Sequence, residues 1–184
     1  MWKILINSGV AGAVAAGVLA AVFWTADGPG TGPLGVAGPV DAIQCMSVKS
    51  AHIGLSDLQN TTDSPIQIEK FSLVSPHAVR LLGVELAPVV KAADGLTDLL
   101  GVGPTYPASP EDLAVSDVHW NARRALPMTM PPDRPGHSWN VVFGLERTAA
   151  AGSVGYYQIQ YEWRGQQYIW TSEISVRLIA GRCF

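Results

Sequence analysis

Four side chains between residues 119 and 137 are of types that hold a soft metal ion: His119, Met128, Met130 and His137. Thioethers and imidazoles suit Cu(I), and a protein outside the cytosol meets the copper of the cell envelope. The stretch that carries three of them, "LPMTMPPDRPGHSW", also has a simpler reading. Met128 and Met130 stand two apart, so in a strand both point to one face, and Pro131 and Pro132 end that strand before Trp139 opens the next. Two methionines on the inner face of a strand fill a core. No dense Met/His run accompanies them, so strand and turn is the main reading, copper the alternative, and no other cofactor is expected.

Other chemistries lack their residues. "GHSWN", residues 136 to 140, has the Ser of a G-x-S-x-G nucleophile elbow. It carries Asn140 in place of the last glycine, and a proline-rich stretch precedes it where a strand is needed. There is no H-E-x-x-H or P-loop spacing, and the carboxylates are scattered. No catalytic residue is expected, and the chain reads as a non-enzyme. From Tyr156 to Trp170 six aromatics occur in fifteen residues, rings that could stack on cell-wall sugars. Five of them run in phase with aliphatic residues, which assigns them to a core. Tyr156 alone falls on the polar face with Gln158, Gln160 and Glu162. Asn60, in "NTT", matches an N-glycosylation acceptor pattern.

These residues must be held by a domain, and the two cysteines bear on where it folds. Cys45 and Cys183 lie near the two ends of the part that follows the N-terminal segments. They lack the C-x-x-C spacing of redox or metal thiols, so the expectation is a disulfide formed outside the cytosol, joining the first strand to the last. Closing such a loop stabilises a fold by roughly 4 to 5 kcal/mol on the chain-entropy account.

Export is also written in the N-terminus. Residues Ile4 to Trp24 carry no charge. As a helix they would span about 31 Å, close to the thickness of the hydrocarbon layer. Trp2 and Trp24 mark its two ends, and Lys3 before it and Asp27 after it orient the N-terminus toward the cytoplasm. Residues 1–24 therefore read as a transmembrane helix or signal anchor, with secretion after signal cleavage as the alternative. The bulky exit "VFWTADGPG" disfavours a peptidase site. Small residues form two stripes along this segment, Gly9, Ala13, Gly17 and Ser8, Gly12, Ala16, Ala20. Such stripes allow weak helix–helix dimerisation in lipid.

Residues 25–40, with five Gly and three Pro, read as a linker that lifts the domain off the membrane, its ends about 22 Å apart on average. Residues 41–184 form the extracytoplasmic domain. The formal net charge of −3 and a single adjacent basic pair, Arg123 and Arg124, argue against nucleic acid and anionic lipid headgroups as partners. The remaining partners are the membrane, through the N-terminal helix, and an envelope protein or the cell wall.

Within the domain the pattern has mostly period two. Ile66 and Ile68 alternate with polar residues, Phe71 and Leu73 follow out of phase, and that stagger predicts a bulge. "SPHA" breaks the run, and Val79 to Leu86 resume it. Trp139, Val141, Phe143 and Leu145 share a face. Tyr157 to Trp163 and Tyr168 to Leu178 form two long strands of a hairpin around "RGQQ", the second running toward Cys183. Between these parts, Ser109 and Pro110 open a helix of one or two turns. Seven of the thirteen prolines lie between residues 104 and 135, a loop carried between sheets. Some seven short strands and a terminal disulfide predict an all-β fold, an immunoglobulin-like antiparallel β-sandwich. On "SPIQIEKFSLVSPHAVRLLGVELAPV", "WNVVFGLERT" and "YQIQYEWRGQQYIW" the chain resembles small single-domain envelope proteins of high-GC Gram-positive bacteria. The resemblance implies the sandwich fold and the envelope location, and carries no catalytic motif.

Overall fold

The computed structural model describes residues 25–26, 32–37, 42–90, 98–134 and 137–183. The expected membrane anchor, residues 1–24, lies outside them, and no helix among the described residues is long and apolar enough to cross a membrane.

The chain is all-β, a sandwich whose core lies between two large sheets. The first contains β1 (Thr25–Ala26), β5 (Ile66–Val74), β9 (Met128–Met130), β12 (Tyr156–Trp163) and β13 (Gln166–Thr171), in the order β1-β13-β12-β5-β9. The second contains β2 (Leu34–Ala37), β4 (Ser50–Asn60), β6 (Val79–Val90), β8 (Arg124–Ala125) and β10 (His137–Arg147), in the order β2-β4-β10-β6-β8, with β7 (Gly101–Gly103) also on β4. A small third sheet, β11 (Ala151–Val154), β14 (Ser175–Ile179) and β3 (Ile43–Met46), closes one side. Ladders are antiparallel except β1 on β13 and β3 on β14.

The alternation of the sequence fixes what meets in the middle. Ile66, Ile68 and Phe71 of β5 and Tyr157, Ile159 and Tyr161 of β12 face Ile53, Leu58, Val141, Phe143 and Leu145 of the other sheet. The rings of Phe71, Phe143 and Tyr157 meet at 4.9 to 5.0 Å between centroids. Such pairs contribute about 0.5–1.5 kcal/mol each beyond the area they bury. The expected bulge is present: opposite Gln160 and Tyr161 the register passes from Lys70 to Ile68, leaving Glu69 unopposed, so Phe71 regains the inner face. The β12–β13 hairpin turns on Arg164 and Gly165, both at positive φ, the two-residue loop whose twist matches the strands.

The "SPHA" turn joins two strands, as read, and carries the chain from one sheet to the other, with Ser75 and Ala78 at positive φ. Three expectations change. The sequence assigned residues 25–40 wholly to a linker, yet Thr25–Ala26 and Leu34–Ala37 pair as edge strands of the two sheets. The strand expected from Tyr168 to Leu178 breaks at Ser172. There the Ser172 backbone and hydroxyl bond to Tyr157, and the chain continues as β14 in the third sheet. The proline-rich segment is not slung between sheets. Residues 98–123 lie on the outer face of the six-stranded sheet as a strap, enclosing a second core of Ala87, Val89, Leu100, Ala108, Val118 and Val142. The strap contains the expected helix, α1 (Pro110–Ala114), with Ser109 and Asp112 forming a reciprocal capping box.

Candidate functional site

The structure puts the four candidate metal ligands in different surroundings. Met128 and Met130 sit opposite Ile68 and Ile66 with both side chains buried in the main core. Thr129 between them faces out. His119 and His137 are exposed, and each lines a different surface hollow; neither hollow is lined by a methionine. Among the described residues no three of His, Cys, Asp and Glu are grouped so as to hold a metal ion. Cys45 and Cys183 are joined in a disulfide, with Cα atoms 5.9 Å apart, and tie the edge strand β3 to the end of the chain. Asn60 is buried and its amide is engaged. Nδ2 donates to the carbonyls of Ser64 (2.9 Å) and Met130 (3.1 Å), and Oδ1 accepts from the Thr62 backbone and hydroxyl. It organises a loop, the ordinary use of Asn at a turn.

That loop helps to shape a cleft at one end of the sandwich, where β10 begins and β9 ends. The cleft has a volume of about 510 Å³. Pro88 and Trp139 reach it from the six-stranded sheet, and Pro131 and Pro132 from the chain leaving β9. The backbone of Asp133 donates to Asn60, and that of His137 to Arg134, which holds the rim. Trp139 is half-buried against the core, and the Arg124 guanidinium stands 5.7 Å over its ring. Three prolines and an indole offer stiff, flat faces, with Arg134 and His137 exposed at the edge. Apolar faces with polar groups at their edge are common in binding sites. Ser138 of "GHSWN" lies within β10, so a strand follows the serine where an elbow requires a helix.

The strap is pinned by polar residues that strand periodicity hides. Asn140 is fully buried; its Nδ2 donates to the carbonyls of Gly54 and Ser56 at 3.0 and 2.9 Å, and its Oδ1 accepts from the Leu100 backbone. The buried His52 ring pairs Nδ1 with the Thr105 carbonyl at 2.9 Å. The Tyr106 hydroxyl bonds Glu85, which Arg123 approaches at 3.7 Å. Burial first, and then the Glu85 hydrogen bond, push the Tyr106 phenol well above its usual range. Tyr157, its hydroxyl paired with Ser56 in the main core, is raised by burial, which outweighs the lowering effect of that hydrogen bond. The signal for a covered outer face was the unbroken run Val141, Val142, Phe143, since a strand wetted on one side would alternate.

The aromatic hairpin is chiefly core. Tyr157 and Tyr161 are buried, and Trp163, Tyr168 and Trp170 are half-buried against the same cluster. No protein-family model matches the chain, and no curated protein does. Among solved structures it is similar to the ASH / PapD-like domain of human CEP192 (PapD-like domain 7). The identity is 11%, over 82% of this chain and 87% of that one, and the TM-score is 0.36. A likeness at this level carries no argument about what this chain binds.

Proposed function

We propose that this chain is a non-enzymatic module of the cell envelope. In this reading an immunoglobulin-like β-sandwich is held at the extracytoplasmic face of the membrane by residues 1–24 and binds an envelope protein or the cell wall. The observation that carries it is the Cys45–Cys183 disulfide, which ties β3 to the segment that follows β14. Bonds of this kind persist where the medium is oxidising, outside the cytosol. The uncharged run from Ile4 to Trp24 supplies the means of export and of retention. The cleft around Trp139, with its proline walls and with Asp133, Arg134 and His137 beside them, is the contact surface this reading favours.

The reading is tested in cells that express the full chain with a C-terminal epitope. Protease added to intact spheroplasts should remove the epitope while the marker of a cytoplasmic protein survives, and the chain should fractionate with membranes. A protected epitope would sink the proposed orientation, and a shortened chain in the medium would establish secretion instead. A photo-crosslinking residue at Trp139 should then capture the partner, whereas one at Thr148 on the opposite end should not.

A further inference from the structure

We infer that the cleft-bearing end of the sandwich is seated on the lipid headgroups rather than held away from them. This rests on the reading that residues 4–24 anchor the chain. Thr25 follows Trp24, the last residue of the segment read as the anchor, with no residue between. Thr25 and Ala26 are already strand, paired in parallel with Tyr168 and Ile169. Consecutive Cα atoms are 3.8 Å apart and paired strands about 4.8 Å, so the backbone of Tyr168 lies within about 9 Å of the end of that segment. The headgroup layer on each side of a bilayer is of similar depth, about 5 to 8 Å. The 25–40 segment therefore gives no slack before the first sheet contact.

The parallel register decides which end is down. β13 starts at Gln166, so the side from which Thr25 arrives is that of the Arg164–Gly165 turn. The loop from Thr61 to Pro65, the chain after Met130 and the first residue of β10 lie at this same end, since Met130 pairs with Ile66 and Trp139 with Leu58. Its side chains suit an interface. Trp163 and Tyr168 are half-buried rings with polar tips, the indole N–H donating to Ser64 and the phenol to Gln166. Arg164 covers the Trp163 ring at 4.6 Å and pairs with Asp63, so that carboxylate meets the headgroups already compensated. Arg134 and His137 are exposed beside the cleft. The cleft then opens at the membrane surface, and its ligand is reached there.

The experiment uses the full chain, disulfide intact, in phosphatidylcholine–phosphatidylglycerol vesicles that contain a nitroxide-headgroup lipid. A fluorophore is placed at Gln166→Cys or at Ala149→Cys, the second about 25 Å away along the strands. Label at Gln166 should be quenched several-fold more than label at Ala149. A Gly/Ser insertion of about ten residues between Trp24 and Thr25, which adds a mean reach of about 17 Å, should abolish the difference. Equal quenching at the two sites in chains that float with the vesicles overturns the inference and leaves the anchor standing. Chains that do not float overturn both. A difference that survives the insertion overturns the tether as its cause.

Discussion

The ring of Tyr106 lies against the Cα of Gly144, so close that a Cβ added there would come within 2.2 Å of the ring. Gly83 on the neighbouring strand is covered by the same side chain, 2.4 Å from its hydroxyl by the same construction. The two glycines form a trough that lets one aromatic of the strap reach Glu85 on β6. Gly144→Ala should therefore force the strap outward. The expected loss is about 1–3 kcal/mol, the usual cost of overpacking, read as a lower denaturation midpoint. An unchanged midpoint would mean that the strap is not packed as described.

Asn140 should be the polar residue that the fold tolerates losing least. Asn140→Ala removes the side-chain partner of one amide and two carbonyls in a site that water does not reach. A loss of about 2–3 kcal/mol is expected, because buried groups left unpaired cost their desolvation. Hydrogen exchange should rise most at Leu100 and its neighbours in the strap. Uniform acceleration over the whole domain, with no excess there, would argue that Asn140 does not pin the strap.

How much of this was legible beforehand follows from periodicity. β5, β12 and β13 are covered well on only one side, so alternation marks them, and even the bulge beside Glu69 left its trace in the phase change from Ile68 to Phe71. The strap was missed because it is an irregular segment that covers a sheet already apolar on its inner face. A strand buried on both sides, such as Ala51 to Leu58, has no alternation to read. The edge strands Thr25–Ala26 and Leu34–Ala37 were hidden by composition: a Gly/Pro-rich stretch looks like a linker even where it adds to a sheet edge. At the candidate site the reading had Met128, Met130 and their strand, and read Trp139 only as one of a row of strand residues. It lacked the cleft, because Pro88, Pro131 and Trp139 meet only after two sheets have closed on each other.

Glu146 sets the expected acid limit. Hydrogen bonds from Lys49 and then Arg80 hold its carboxyl below the ordinary value of 4.5. A carboxylate lowered in the folded state lends stability that is complete above its unfolded value and fades as the pH falls through the folded one. Stability of the parent should thus drop below pH 4.5 more steeply than that of Glu146→Gln, as urea midpoints measured from neutral pH downward would reveal. Parallel curves would remove the pair from the account of acid sensitivity.

The alkaline limb should be governed by tyrosines. Tyr106 and Tyr157 have phenols raised above the ordinary value of 10, chiefly by burial. The unfolded chain then loses these protons first, so stability present below pH 10 declines as the pH rises beyond it. Phenolate absorbance should show Tyr106 and Tyr157 silent until the domain unfolds, and only then titrating together. Smooth ionisation of both phenols with the fold intact would contradict the burial of their rings.

Copper gives the sharpest test of the opening motif. With Met128 and Met130 packed against Ile66 and Ile68, a Cu(I) ion could use both thioethers only if β9 left the core. Removing two buried side chains from a core costs several kcal/mol, about 2–5 for each, which a weak two-thioether site does not offset. A Cu(I) competition titration on residues 25–184, with the disulfide intact, should therefore show no tight stoichiometric site. Met128→Leu with Met130→Leu, which keeps the volume, should leave both the titration and the melting temperature nearly unchanged. Tight binding that this double variant abolishes would restore the metal reading and require β9 to open, while binding lost instead in His137→Ala would place the ion on the cleft rim, away from the methionines.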